Sequence, residues 1–348
     1  MTKKLLILSG ILIVLAVGGS LLLMRLRTGE DRATPDSEAP WAAKTAVRPA
    51  QVETVPSPGA SQPQMESREA LEAFQEWLAA IAKKDGTRAG EIAQALSRLL
   101  HKESRSNAEI YLRIRQMLGD SSVSMDAKME LIQILSRAAT PQAVALFLEM
   151  TKANLPENLK QWIINALSET GEYWWDKASY PEITSMLLQA WGDARNPELL
   201  RALTTAIARV GDLRGINQLF DAILGQGQTL AQIQQSRDAR VQAALSALAN
   251  VRNPDLVSAI AGRLTAGNSQ AEEAVCAGIL ASIQNVEATR ALLEWAQNAD
   301  SSSTALIHNA FSRIWDSDCL AYLTSTVPLT RFRSGQVQSA VLESINKS

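Results

Sequence analysis

Hydrophobic and polar positions divide the chain into three regimes. Residues 5–24, LLILSGILIVLAVGGSLLLM, are twenty positions without a charge. At about 1.5 Å rise per residue, a helix of that length matches a hydrocarbon core of about 30 Å, so the run predicts a membrane-spanning segment. A cleaved signal peptide would need small residues such as Ala16 and Gly18 ahead of its cleavage site, yet Leu21, Leu22, Leu23 and Met24 continue the apolar run past them. An uncleaved anchor is therefore expected. From residue 33 the periodicity is lost, and Pro35, Pro40, Pro49, Pro56, Pro58 and Pro63 recur too closely for a helix or a central strand. Beyond residue 67, apolar residues return at spacings of three and four, the signature of amphipathic helices. The expected organisation is a tail at 1–4, an anchor at 5–24, a Pro-rich disordered linker at 25–66 and a helical domain at 67–348.

Within that domain the first helix is predicted near residues 68–84, with Leu71, Phe74, Leu78 and Ile81 on its buried stripe. Later helix starts carry a capping side chain followed by proline: Thr140-Pro141, Asn196-Pro197 and Asn253-Pro254. The first residue of each pair can accept an orphan N–H, and the second is pre-set for the first helical turn. Taking Thr140, Gly171, Gly211, Arg252, Gln284 and Trp315 as equivalent turn positions gives intervals of 31, 40, 41, 32 and 31 residues. Such spacing fits stacked helix pairs, because neither helix of a pair can bury its apolar stripe alone.

The segment AIARVGDLRGINQLFDAIL, at residues 206–224, resembles a HEAT-like repeat of the variety first described in phycobilin lyases: helix, Gly-Asp turn, second helix. The other turns keep the spacing and replace Gly-Asp by Arg-Asn, Gln-Asn or Trp-Asp. The resemblance implies an all-α fold, a right-handed α-solenoid of helix pairs that binds proteins. It does not carry lyase chemistry, since function resides in sites and not in folds.

Charge and composition narrow the function. The chain has 34 Lys and Arg against 36 Asp and Glu, which leaves no basic footprint for nucleic acid. Lys3 and Lys4 face Arg25, Arg27 and Arg32 across the apolar run, so the positive-inside comparison is nearly level. A short signal-like N-terminus favours a cytoplasmic tail, which puts the C-terminal domain in the periplasm of a bacterial inner membrane. His101 and His308 fall on different helices without ligand spacing, and Cys276 lies in the apolar run AVCAGIL. Asp316 reads as a helix cap, and Glu272 and Glu273 as first-turn acids. Gly225-Gln226-Gly227 lacks the strand and the Gly-Lys-Ser/Thr of a phosphate loop and reads as a helix stop. The expectation is a chain that is not an enzyme, with no cofactor and no metal.

Two contact surfaces stand out. The insertion GEYWWDKASYP at residues 171–181 carries Tyr173, Trp174, Trp175 and Tyr180, and such aromatics are enriched among binding hot spots. The second is the basic set Arg98, Lys102, Arg105, Arg113 and Arg115, diluted by Glu103 and Glu109. Together these features predict a membrane-anchored scaffold that binds another protein in an envelope assembly. The alternative is a periplasmic glycan- or peptidoglycan-binding module that uses the aromatic insertion.

Overall fold

The computed structural model describes residues 62–102, 107–172, 180–225, 227–265 and 269–347, with side chains from residue 68 onward and excepting that of Tyr180. They belong to one compact unit, Pro58–Ser348. The predicted anchor at 5–24 lies outside the described residues, as do residues 173–179 of the aromatic insertion and Arg105. No described helix is long and apolar enough to cross a membrane. The described residues contain no strand and form seventeen α-helices with four short 3-10 segments.

In chain order these are α1 (Gln62–Ala82), α2 (Gly86–Lys102), α3 (Ala108–Gly119), α4 (Met125–Ala138), α5 (Pro141–Lys152), α6 (Glu157–Ser168) and α7 (Tyr180–Asp193). Then follow α8 (Pro197–Val210), α9 (Leu213–Leu224), α10 (Leu230–Gln234), α11 (Ala239–Ala247), α12 (Val257–Thr265) and α13 (Gln270–Ile283). The chain closes with α14 (Val286–Asn298), α15 (Thr304–Phe311), α16 (Ser317–Thr326) and α17 (Gly335–Lys347).

Caps set most of the starts. Thr140 Oγ1 accepts from Ala143 N at 3.1 Å, Asn196 Oδ1 from Glu198 N at 2.8 Å, and Asn253 Oδ1 from Asp255 N at 2.9 Å, each followed by proline as the sequence predicts. Asp212, Asn285 and Asp316 accept in the same way from Gly215, Ala288 and Asp318. These caps correct the register read from sequence. Thr140 matches Asp212 and not Gly211; the mate of Gly211 is Ala139, the residue just before the cap. Ala139 and Gln284 end their helices in the left-handed conformation, with φ 49° and 55°.

The helices stack in two layers. In one, α2, α4, α6, α8 and α11 follow one another, and the 3-10 turn Leu248–Asn250 links α11 to α13, α15 and α17. In the other, α3, α5, α7 and α9 follow in order, and α12, α14 and α16 continue the row. Arg263 of α12 joins its two halves, with its guanidinium 4.2 Å from the Phe220 ring of α9 and its Nη1 3.5 Å from Asn217 Oδ1. Most helices thus touch a neighbour in the chain, the element two places along, or both. That order makes the chain a helical-repeat protein. Of the two long sequence intervals, one includes residues 173–179, which lie outside the described residues, and in the other α10 lengthens the α9–α11 connection.

One apolar core runs between the layers, with Phe147, Phe220 and Phe311 all but fully buried. Burying each such side chain stabilises by about 1.5–3 kcal/mol against leaving it in water. Two details differ from the sequence reading. α1 begins at Gln62, inside the predicted linker, because a proline such as Pro63 is tolerated in a first turn whose N–H groups have no partner anyway. Its buried stripe is Ala70, Phe74, Trp77 and Ala80, while Leu71, Leu78 and Ile81 are half-buried. Trp77 is buried because Glu130 of α4 accepts its indole N–H at 3.0 Å.

Candidate functional site

The turns between paired helices line one edge of the stack, and side chains stitch that edge together. A helix end leaves carbonyls without partners, and here neighbouring pairs supply the donors. His101 Nδ1 lies 2.8 Å from Ala138 O. Ser136 Oγ lies 3.3 Å from Ala166 O and 3.2 Å from Glu169 Oε2, with one proton to share. Arg209 Nη1 donates to Ser168 O at 2.5 Å and to Glu172 Oε2 at 3.1 Å. Asn253 Nδ2 donates to Gly211 O at 2.5 Å.

The next links converge on one turn. Arg252 Nη1 donates to Ser282 O and sits 3.2 Å from Val251 O. Arg313 Nη2 donates to Ser282 Oγ at 3.1 Å. Gln284 Nε2 donates to Arg313 O at 2.9 Å, while its Oε1 accepts from Trp315 N and Asp316 N at 3.1 Å each. The resulting cleft has a volume of about 420 Å³ and is lined by Arg252, Ser282, Gln284, Arg313, Trp315 and Lys347 among others. Trp315 is 59% exposed at its rim.

Charge is distributed unevenly along the edge. Near α6 the cations have carboxylates: Arg209 pairs with Glu172, and Glu169 stands within the field of Arg137 and Arg209. Burial raises the Glu169 carboxyl above its ordinary value, with the Ser136 contact and both arginines opposing the rise. At the cleft, no described carboxylate pairs with Arg252 or Arg313. Desolvation first, then the charges of Arg209 and Arg313, hold the Arg252 guanidinium below its ordinary value, and desolvation does the same to Arg313.

The described residues among the two candidate contact surfaces fall elsewhere. Tyr173, Trp174 and Trp175 lie outside the described residues, and Tyr180 opens α7. Of the basic set, Arg98 and Lys102 are exposed on α2. Arg113 pairs with Glu109 at 2.6 Å on its own helix, and Arg115 pairs with Glu149 of α5. These carboxylates screen two of the five cations of the patch. Cys276 and Cys319 are free thiols, each 0% exposed. Burial first and the Glu272 carboxylate second push the Cys276 thiol up to about 12. Among the described residues, no group of three or more His, Cys, Asp or Glu side chains is placed to hold a metal ion.

Sequence reasoning missed the stitched edge. Its signal was present in the segments LSRAATP, IARVGD and FSRIWD, which place Arg137, Arg209 and Arg313 three residues before the caps Thr140, Asp212 and Asp316. Arginine in or just after a last helical turn suits both the dipole and the open carbonyls.

No family model matches the chain, and no curated protein sequence gives a significant match. Among solved structures, the chain is similar to human deoxyhypusine hydroxylase in complex with glycerol, at 15% identity and a TM-score of 0.25, over 69% of this chain and 97% of that one. This comparison corrects the expectation that the chain is not an enzyme. The solved structure to which it is similar is an enzyme. A likeness at that TM-score assigns no activity.

Proposed function

We propose that this protein is a membrane-anchored scaffold of right-handed, HEAT-like helix pairs that binds another protein in an envelope-associated assembly. Residues 5–24 would hold it in a bacterial inner membrane, and the linker would carry the repeats into the periplasm. The observation that supports this reading most is the stack itself. Paired helices wall one another on both sides and present their turns as one continuous edge, the form in which helical repeats offer long binding surfaces. Tethering would raise the effective concentration for partners close to the membrane.

The test has two arms. A reporter active only outside the cytoplasm, fused after Ser348, should be active in cells. Crosslinking of the full chain in cells should recover a specific envelope protein. An inactive fusion would refute the orientation, and the absence of any specific crosslinked protein on either side of the membrane would refute the scaffold.

A further inference from the structure

Arg252 and Arg313 carry more charge than their structural task requires. Asn253 and Gln284 satisfy the carbonyls of Gly211 and Arg313 with neutral amides, so capping a neighbouring turn does not call for a cation. Arg252 spends only Nη1 on carbonyls, those of Ala249, Val251 and Ser282. Arg313 spends Nη2 on the Ser282 hydroxyl. Its Nη1 lies over Gly278, where a Cβ would come to 3.4 Å, an ordinary contact distance.

Farther along the same edge, Arg209 has a protein carboxylate, Glu172, at 3.1 Å. No described carboxylate pairs with Arg252 or Arg313, although desolvation weighs on both guanidiniums and Arg252 is repelled by two neighbouring arginines. The third cation of the cleft, Lys347, is engaged by Glu343 at 2.5 Å. At the rim stands the exposed Trp315, its backbone N–H fixed by Gln284 Oε1 at 3.1 Å. The cleft of about 420 Å³ therefore joins an anion's counter-charges to an aromatic face.

We propose that this cleft docks an acidic side chain of a protein partner, with the carboxylate between Arg252 and Arg313 and an adjoining apolar residue over Trp315. The aromatic rim favours a peptide over a bare oxyanion, because a free ion would leave the exposed indole without a role. The inference deepens the protein-binding reading above and rests on it. Its chemistry is that of interface hot spots, in which arginine and tryptophan are over-represented.

The probes are acetylated pentapeptides of alternating glutamate and leucine, the same peptides with glutamine for glutamate, and inorganic phosphate. Each is titrated against the full chain in nanodiscs, with 5-fluorotryptophan reporting on Trp315 and the Trp315→Phe variant assigning its signal. The glutamate peptide should shift that signal saturably, with an affinity that falls as salt rises; the glutamine peptide should not. Arg313→Gln should weaken binding at least tenfold. Trp315→Ala, followed by calorimetry, should weaken it while keeping the salt dependence. Far-UV helicity checks that each variant is folded.

Equal binding of the two peptides would overturn the proposal, as would indifference to Arg313→Gln. Saturation by phosphate without the glutamate peptide would also overturn it, in favour of a free-ion site. The two readings fail separately. A chain that binds the peptide but crosslinks to no protein sinks the scaffold, whereas specific crosslinks with no peptide binding sink this cleft alone.

Discussion

Replacing Gln284 tests whether side-chain stitching contributes measurably to the stack. This residue makes four hydrogen bonds: Nε2 to Ala281 O at 2.5 Å and Arg313 O at 2.9 Å, and Oε1 from Trp315 N and Asp316 N at 3.1 Å each. At about 1 kcal/mol net apiece, their loss sets an upper bound of about 4 kcal/mol. Water can replace the Ala281 bond and one outer N–H, because the side chain is only half-buried. The expected cost of Gln284→Ala is therefore about 2–3 kcal/mol. Gln284 also sits at φ 55°, a conformation that costs an L-residue about 1–2 kcal/mol and glycine nothing.

Gln284→Gly loses the same bonds but escapes the backbone cost, so it should recover about 1 kcal/mol relative to Gln284→Ala. Urea unfolding followed by far-UV circular dichroism gives both differences. Hydrogen exchange at the Trp315 and Asp316 amides localises them to the adjoining turn. Gln284→Ala within about 0.5 kcal/mol of the parent would refute the bridging argument. A glycine variant no more stable than the alanine one would refute the strain argument.

Two further outcomes follow from the titrating groups. With both thiols buried and raised, Cys276 and Cys319 should resist a thiolate-selective reagent at about pH 8 in the native chain and react together once the chain is unfolded; fast native labelling of either would contradict the burial. The raised Glu169 carboxyl means that the folded chain holds this proton more tightly than the unfolded chain. Its contribution to stability is therefore present at low pH and lost as pH rises from 4.5 through the folded value. Glu169→Gln keeps an acceptor for Ser136 and removes that slope. Urea midpoints at increasing pH should favour the variant progressively, and a flat or reversed difference would be the contrary result.

What the sequence made legible was whatever acts over a few residues. Thr140-Pro141, Asn196-Pro197 and Asn253-Pro254 cap helices because a cap and its donor lie within one turn. The pairing of Arg113 with Glu109 belongs to the same range, one helical turn apart. The stitched edge was hidden because its partners are distant in the chain: Arg209 and Ser168 are 41 residues apart, Asn253 and Gly211 are 42. Such contacts exist only once the stacking order is known. The stripe of α1 failed for a related reason. Positions 70, 74, 77 and 80 and positions 71, 74, 78 and 81 both satisfy helical spacing, and only packing against α2 and the reach of Trp77 to Glu130 choose between them.

The direction of the stitching bears on how the stack holds together. In a repeat array, stability divides into the worth of each unit and the worth of each neighbour interface, and the turn edge contributes to the second. Asn253 and Arg209 reach back to the preceding pair, whereas Arg252 and Gln284 reach forward. At residues 282–284 the two directions meet, for Arg252 arrives from one side and Arg313 from the other on the same serine. That turn is therefore coupled to both of its neighbours at once. Ser282 and Gln284 of that turn also line the arginine cleft, so the two arginines that would meet a ligand are already held by hydrogen bonds to the fold. A cleft fixed in this way loses little side-chain freedom when it is filled, which is the condition under which a few charged contacts yield useful affinity.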